Sequence, residues 1–107
     1  MARTATLLKF TARPGQRNAL VAAYLSEATR VAVNEPEIEL YLIHTSPTEP
    51  DAVWLYVAFT SEAAEAAYTS GAAGNSVMSR IDALAPAPPE HFDFVPVGGK
   101  GLPSREG

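Results

Sequence analysis

The sequence has no cysteine. Disulfides, thiolate nucleophiles and cysteine-ligated zinc are excluded together, and the redox compartment is left open. No apolar run approaches the roughly 18 residues of a membrane span. Histidine is nearly absent too: His44 and His91 are the whole supply. Two histidines on separate strands, without cysteine, make no structural or catalytic metal site. Positive charge is scarce, with 8 Lys and Arg against 12 Asp and Glu and a net charge of −4, which argues against a surface for nucleic-acid phosphates. The opening "MARTATLLKFTARPG" lacks the apolar core and cleavage site of a signal peptide. A cytoplasmic protein is expected, with neither nucleic acid nor membrane as partner.

What is present is a hydrophobic complement of 47% in 107 residues, enough for one domain around one core. Its densest stretch is "AVWLYVAF", residues 52–59, in which no charge alternates with the apolar side chains. The length, the β-branched and aromatic content and the preceding turn signal "SPTEPD" make this a strand. Val53, Leu55, Val57 and Phe59 then line one face and Trp54, Tyr56 and Ala58 the other, so both faces must be covered.

Other elements fall into place around it. "TATLLKFTAR" reads as a first strand, closed by the Pro14-Gly15 turn. Leu20, Val21, Tyr24, Ala28 and Val31 form an apolar stripe on a helix from Gln16 to Asn34. "IELYLIHTS" is a second strand, with Ile38, Leu40, Leu42 and His44 expected on the pocket-facing side and Glu39, Tyr41, Ile43 and Thr45 on the other. Ser61 caps a short alanine-rich helix. A flexible "SGAAGN" is expected next, with Asn75 capping a third helix that carries Val77, Met78, Ile81 and Leu84. "APAPPE" ends that helix, and "HFDFVPV" is a fourth strand preceded by an exposed His91. Residues 1–97 make the domain and 98–107 a polar, flexible tail.

The order β-α-β-β-α-α-β is that of an α+β, ferredoxin-like fold, an antiparallel sheet with helices on one face. The other face is left open, and Trp54, Tyr56 and Ala58, with Tyr41 and Ile43, predict a homodimer that packs sheet on sheet.

Within this frame Glu35-Pro36, Tyr41, Glu49-Pro50-Asp51 and Ser61-Glu62-Ala63, with "RPGQRNAL" and "PVGGKG", resemble the scaffold of antibiotic biosynthesis monooxygenase-like domains of the dimeric α/β barrel superfamily. The resemblance implies a dimer with an apolar pocket between sheet and helices, and oxidation of quinols or aromatic polyketides without metal, haem or flavin, hence no cofactor. The chain departs from the pattern in its polar residues. Val57 and Phe59 stand where the family has Glu-x-Trp, Glu65 stands where many members have a histidine, and Glu37-Ile38 replaces Gly-Cys. The histidine and asparagine that the haem-degrading branch resembles in needing are not at the matching stretches.

Leu42, Leu55, Val57, Phe59 and Met78 are the expected lining of a substrate pocket, of about 300 Å³ or more if it is typical of ligand sites. His44, Tyr24 and Tyr68 are the candidate acid-base groups. Each also has a simpler reading: a satisfied histidine at a strand end, and two tyrosines packed in the core or at its rim. Arg80 reads as a solvated helix residue or an anion partner. Three functions remain open: a cofactor-independent monooxygenase acting on a small aromatic, quinol or polyketide-like substrate, a non-catalytic dimer that binds a hydrophobic metabolite, and a polyketide cyclase or isomerase.

Overall fold

The computed structural model describes residues 3–100, except the side chains of residues 72–76. Of the expected tail, residues 101–107 lie outside the described residues. The elements run β1 (Thr4–Thr11), α1 (Arg17–Asn34), β2 (Ile38–Thr45), β3 (Ala52–Phe59), α2 (Glu62–Ser70), α3 (Ala72–Leu84) and β4 (Glu90–Phe94). The strands form one antiparallel sheet in the order β2-β3-β1-β4. This is the expected ferredoxin-like α+β arrangement, and both central strands, β1 and β3, are the ones richest in buried side chains.

Local chemistry explains the element ends. Between β1 and α1, Gly15 has φ +79° and the Gln16 N–H donates to the Arg13 carbonyl at 2.9 Å. That is a type II turn, with Pro14 at its second position and glycine at the third, where φ must be positive. At the start of α2 the Ser61 hydroxyl accepts the Ala64 N–H at 3.2 Å, and Glu62 and Glu65 sit in the first turn, where the helix dipole favours negative charge.

On β3, Val53, Leu55, Val57 and Phe59 are at most 4% exposed and join Phe10 of β1 with Leu20 and Tyr24 of α1 and Val77 and Ile81 of α3 in one core. Trp54 and Tyr56 point to the opposite, helix-free face and are only partly buried. By strand register that open face also carries Leu7, Leu40, Leu42, His44, Phe92 and Phe94. Lys9 lies over the Trp54 ring, 5.2 Å from its centroid.

Two expectations are corrected here. Residues 72–76 are helical: α3 begins at Ala72, so "SGAAGN" is not a loop, and Asn75 lies inside the helix and does not cap it. The chain turns at Gly71, where an added Cβ would stand 2.9 Å from the Ala67 carbonyl oxygen, so only glycine permits two helices to follow one another so closely. The second correction is the phase of β2. Ile38 pairs with Phe59 and Leu40 with Ala58, leaving Glu39 as one extra residue. This β-bulge reverses the alternation beyond it. Tyr41 and Ile43 face the helices, and Leu42 and His44 face away. No described helix is long and apolar enough to cross a membrane.

Candidate functional site

Between the sheet and the helices lies a cavity of about 230 Å³, smaller than the 300 Å³ expected. All four strands contribute to its floor: Leu55, Val57 and Phe59 from β3, Thr6 and Leu8 from β1, Tyr41 from β2 and His91 from β4. Tyr24 of α1, Glu65, Tyr68 and Thr69 of α2, and Val77 and Met78 of α3 close it from above. The structure therefore gathers Leu55, Val57, Phe59, Met78, Tyr24 and Tyr68 around one space. Leu42 and His44 are not among them: the Glu39 bulge puts them on the open face, across from Tyr56 and Trp54, where Leu42 is 43% exposed. A larger open groove, lined by Thr4, Glu62, Ala66, Asp93 and Phe94, adjoins the cavity and shares Glu65 and Thr69 with it. The smaller cavity, walled by aromatic and aliphatic groups, is the better ligand site.

Its aromatic wall is tightly arranged. Tyr68 sits between Phe59, 6.1 Å away, and Tyr41, 6.5 Å away and edge-on. The Tyr68 hydroxyl donates to the Glu27 carboxylate at 2.5 Å. Glu27, only 3% exposed, also accepts two hydrogen bonds from Arg30, from Nε at 3.0 Å and from Nη2 at 2.9 Å, and Arg30 reaches on to Glu35 at 3.0 Å. Burial opposes charge on Glu27, but the hydrogen bonds from Arg30 and Tyr68 outweigh it and hold its carboxyl below the ordinary value.

The phenols shift the other way. Burial pushes Tyr41 up to about 12, and burial also raises Tyr24 and Tyr68, with Glu27 adding to the effect on both. Near neutral pH all three are protonated, and neither Tyr24 nor Tyr68 holds the phenolate that a base requires. Tyr24 is 2% exposed and lines the cavity. The remaining polar groups are Thr6, whose hydroxyl donates to Glu65 at 2.9 Å, and His91, whose Nε2 lies 2.9 Å from Asp93. His91 belongs to β4 rather than to the loop before it. Its side chain is 55% exposed, which places it at the mouth. No set of three or more His, Asp or Glu among the described residues is placed to hold a metal ion.

With this geometry in view, the sequence profile of the antibiotic biosynthesis monooxygenase family matches residues 5–74. The chain belongs to this family. A crystal structure of a candidate antibiotic biosynthesis monooxygenase from Chloroflexus aurantiacus J-10-fl is similar at 29% identity and a TM-score of 0.81, covering 95% of this chain and 100% of that one. A protein of unknown function from Nitrosomonas europaea is similar at 25% identity and TM-score 0.77, with 98% of each chain covered. A family member by name from Caulobacter crescentus CB15 shares the fold at TM-score 0.83 and 15% identity, over 91% of this chain and 92% of that one. No curated protein matches the chain. The family profile spans β1 through α2 and reaches into α3, so it includes Tyr24, Glu27, Tyr41, Phe59 and Tyr68 but not Met78 or His91.

Glu27, Tyr41, Glu65 and His91 escaped the sequence reading as site residues. Glu27 had a signal: Leu20, Tyr24, Glu27 and Val31 are spaced by four, three and four, so the carboxylate sits within the buried stripe. Tyr41 had none, because a one-residue bulge decides its face.

Proposed function

We propose that this protein is a cofactor-independent monooxygenase of a small hydroxyarene, a quinol of one or two rings. The observation that carries the reading is the largely apolar cavity between sheet and helices, walled by Phe59, Leu55, Val57 and the rings of Tyr24, Tyr41 and Tyr68. Size fits: a cavity of about 150 Å³ takes benzene, so 230 Å³ accommodates a substituted ring or a fused pair rather than a long polycyclic polyketide.

The reaction needs no reductant beyond the substrate. One quinol and one dioxygen give one hydroxyquinone and one water. One oxygen atom enters a ring C–H bond, and the other leaves as water with the two hydroxyl hydrogens. An apolar wall supports this by excluding water from an electron-rich ring and by fixing its orientation. Proton removal belongs to the outer edge, where Glu65 and His91 line the cavity, Asp93 lies beside His91, and solvent is near.

A second reading is favoured by one observation. The inner wall offers phenols and no free base, which suits a non-catalytic carrier of the same kind of molecule. Oxygen uptake separates the two. Substrate-dependent consumption, with a panel of mono- and bicyclic quinols, supports the enzyme; saturable binding without consumption supports the carrier. Turnover in the absence of oxygen would instead indicate a cyclase or isomerase.

The proposal includes a homodimer. Phe92 and Phe94 on the open face are 42% and 45% exposed, and Leu7, Trp54 and Tyr56, and Leu42 continue the same surface across β1, β3 and β2. A sheet face this apolar is covered by a second copy in the arrangement that makes the site a pair of facing sheets.

A further inference from the structure

Beyond Tyr68 lies a second cavity, of about 290 Å³. Ala64 and Ala67 of α2, with Gly71 after it, make one wall, and Glu35, Glu37 and Ile38, from the turn into β2, make the other. The space exists because the α2 wall is built of small residues, and at Gly71 it stays open because an added Cβ would stand 2.9 Å from the Ala67 carbonyl oxygen. Among the described residues Tyr68 alone lines both this cavity and the one between sheet and helices. Its side chain is pinned. The ring packs against Phe59 and, edge-on, against Tyr41, and the hydroxyl is bonded to the Glu27 carboxylate and to Tyr41. Swinging the ring aside would break those bonds and leave the buried Glu27 to Arg30 alone, so Tyr68 stands as a wall and not as a flap.

We infer that Tyr68 is the specificity-determining residue for ligand size: it is the partition between two cavities and confines the ligand to the first. A cavity of about 150 Å³ takes benzene, so the 230 Å³ on the sheet side holds two fused rings, and a third ring has nowhere to go while Tyr68 is in place. Joined to the space behind it, the site would more than double. A smaller side chain at position 68 would therefore extend the site along one direction, past Ala64 and Ala67, rather than merely loosen it. This rests on the cavity between sheet and helices being the ligand site, as proposed above, and adds to it the residue that sets the length of what enters.

The test compares naphthalene with phenanthrene, two and three fused rings without polar groups, by equilibrium dialysis on the whole protein. The wild type is expected to bind naphthalene at least about tenfold more tightly, because forcing an extra ring into a packed site is unfavourable. Tyr68→Ala is expected to shift the ratio of the two affinities toward phenanthrene by about tenfold or more; should it fail to fold, Tyr68→Leu, which keeps an apolar side chain over Phe59, takes its place. The second cavity is tested by filling it. Ala67 lines that cavity and not the first, so adding Ala67→Leu to the position 68 variant is expected to return the ratio toward that of the wild type. Equal affinity of the wild type for both probes would overturn the inference, as would an unchanged ratio in the position 68 variant or an equal loss of both probes, which is what a purely structural role predicts. A double variant that binds phenanthrene as well as the single one would also overturn it, since the room would then come from the deleted ring alone. Failure of both probes to bind the wild type would overturn the cavity reading together with the inference. Size selection as expected, with no oxygen uptake on any quinol, would sustain the inference and reject only the monooxygenase.

Discussion

Tyr68 and Glu27 are 41 positions apart in the chain, and the Tyr68 hydroxyl meets the Glu27 carboxylate at 2.5 Å. The bond ties α2 to α1 across the roof of the cavity, and Arg30 and Glu35 extend the tie toward the turn that leads into β2. A buried carboxylate is costly unless it is paired and hydrogen-bonded. Here both conditions are met, and the pairing also fixes which way the Tyr68 proton points.

Glu27 should make the protein acid-sensitive. Its folded carboxyl binds a proton less readily than the ordinary 4.5, so the stability it contributes is whole above that value. That stability drains as pH falls through the lower folded value. Denaturation by urea from about pH 7 down to about pH 3 is expected to show falling stability, with a shallower fall in Glu27→Gln. An identical slope in both proteins would show that this pair is not responsible.

The phenols should limit stability on the alkaline side. Tyr41 ionises at 10.0 ordinarily and at about 12 when folded, so its contribution is complete below pH 10 and is lost as pH rises toward 12. Tyr24 and Tyr68 move in the same direction. Phenolate absorbance from these three is expected to appear late and together with loss of the fold. Ionisation of Tyr24, Tyr41 and Tyr68 near the ordinary value with the fold intact would contradict the burial argument.

Phe59 forms the floor beneath Tyr68 and is 2% exposed. Phe59→Ala is expected to cost about 3–5 kcal/mol if the site does not collapse, and to change the ligand profile toward larger rings. Thermal denaturation and binding of one-ring and two-ring phenols measure the two effects. A loss under about 1 kcal/mol would mean that the neighbouring side chains refill the space.

Much of the fold was legible because local signals agreed with one another. The run 52–59 read as a strand, Pro14-Gly15 as a turn and Ser61 as a helix start; each is in place. The site was less legible. His44 and Leu42 were assigned to the pocket by strict alternation from Ile38, and one inserted residue, Glu39, turned them outward and brought Tyr41 in. Alternation is a local rule, whereas a bulge is decided by pairing with β3, at long range. His91 was hidden because it reads as an exposed residue before the fourth strand, whereas pairing with β1 sets it within β4 opposite Leu8, on the helix side. Glu27 was passed over because an acidic residue suggests a solvated face, and only Tyr68 and Arg30, from outside its own turn and one turn on, make its burial tolerable.

The homodimer is tested on the open face. Tyr56→Asp would place an unpaired carboxylate among Leu7, Leu42 and Trp54, the neighbours that strand register gives it. Sedimentation at micromolar concentration is expected to give a dimer for the wild type and a monomer or unfolded chain for the variant, since an uncompensated buried charge costs several kcal/mol. A folded wild-type monomer of 11.3 kDa would refute the sheet-to-sheet arrangement.

The central claim is that the cavity oxidises a quinol with dioxygen alone, and isotope-labelled dioxygen tests it most directly. Purified protein, stripped of metals by a chelator and mixed with a two-ring quinol, is expected to consume one dioxygen per quinol, with one labelled atom in the hydroxyquinone and the other in water. Tyr24→Phe, which removes a hydroxyl from a side chain that lines the cavity, is expected to slow this by about tenfold. Oxygen consumption no faster than the quinol alone, or consumption that ends in hydrogen peroxide with no label in the product, would contradict the account.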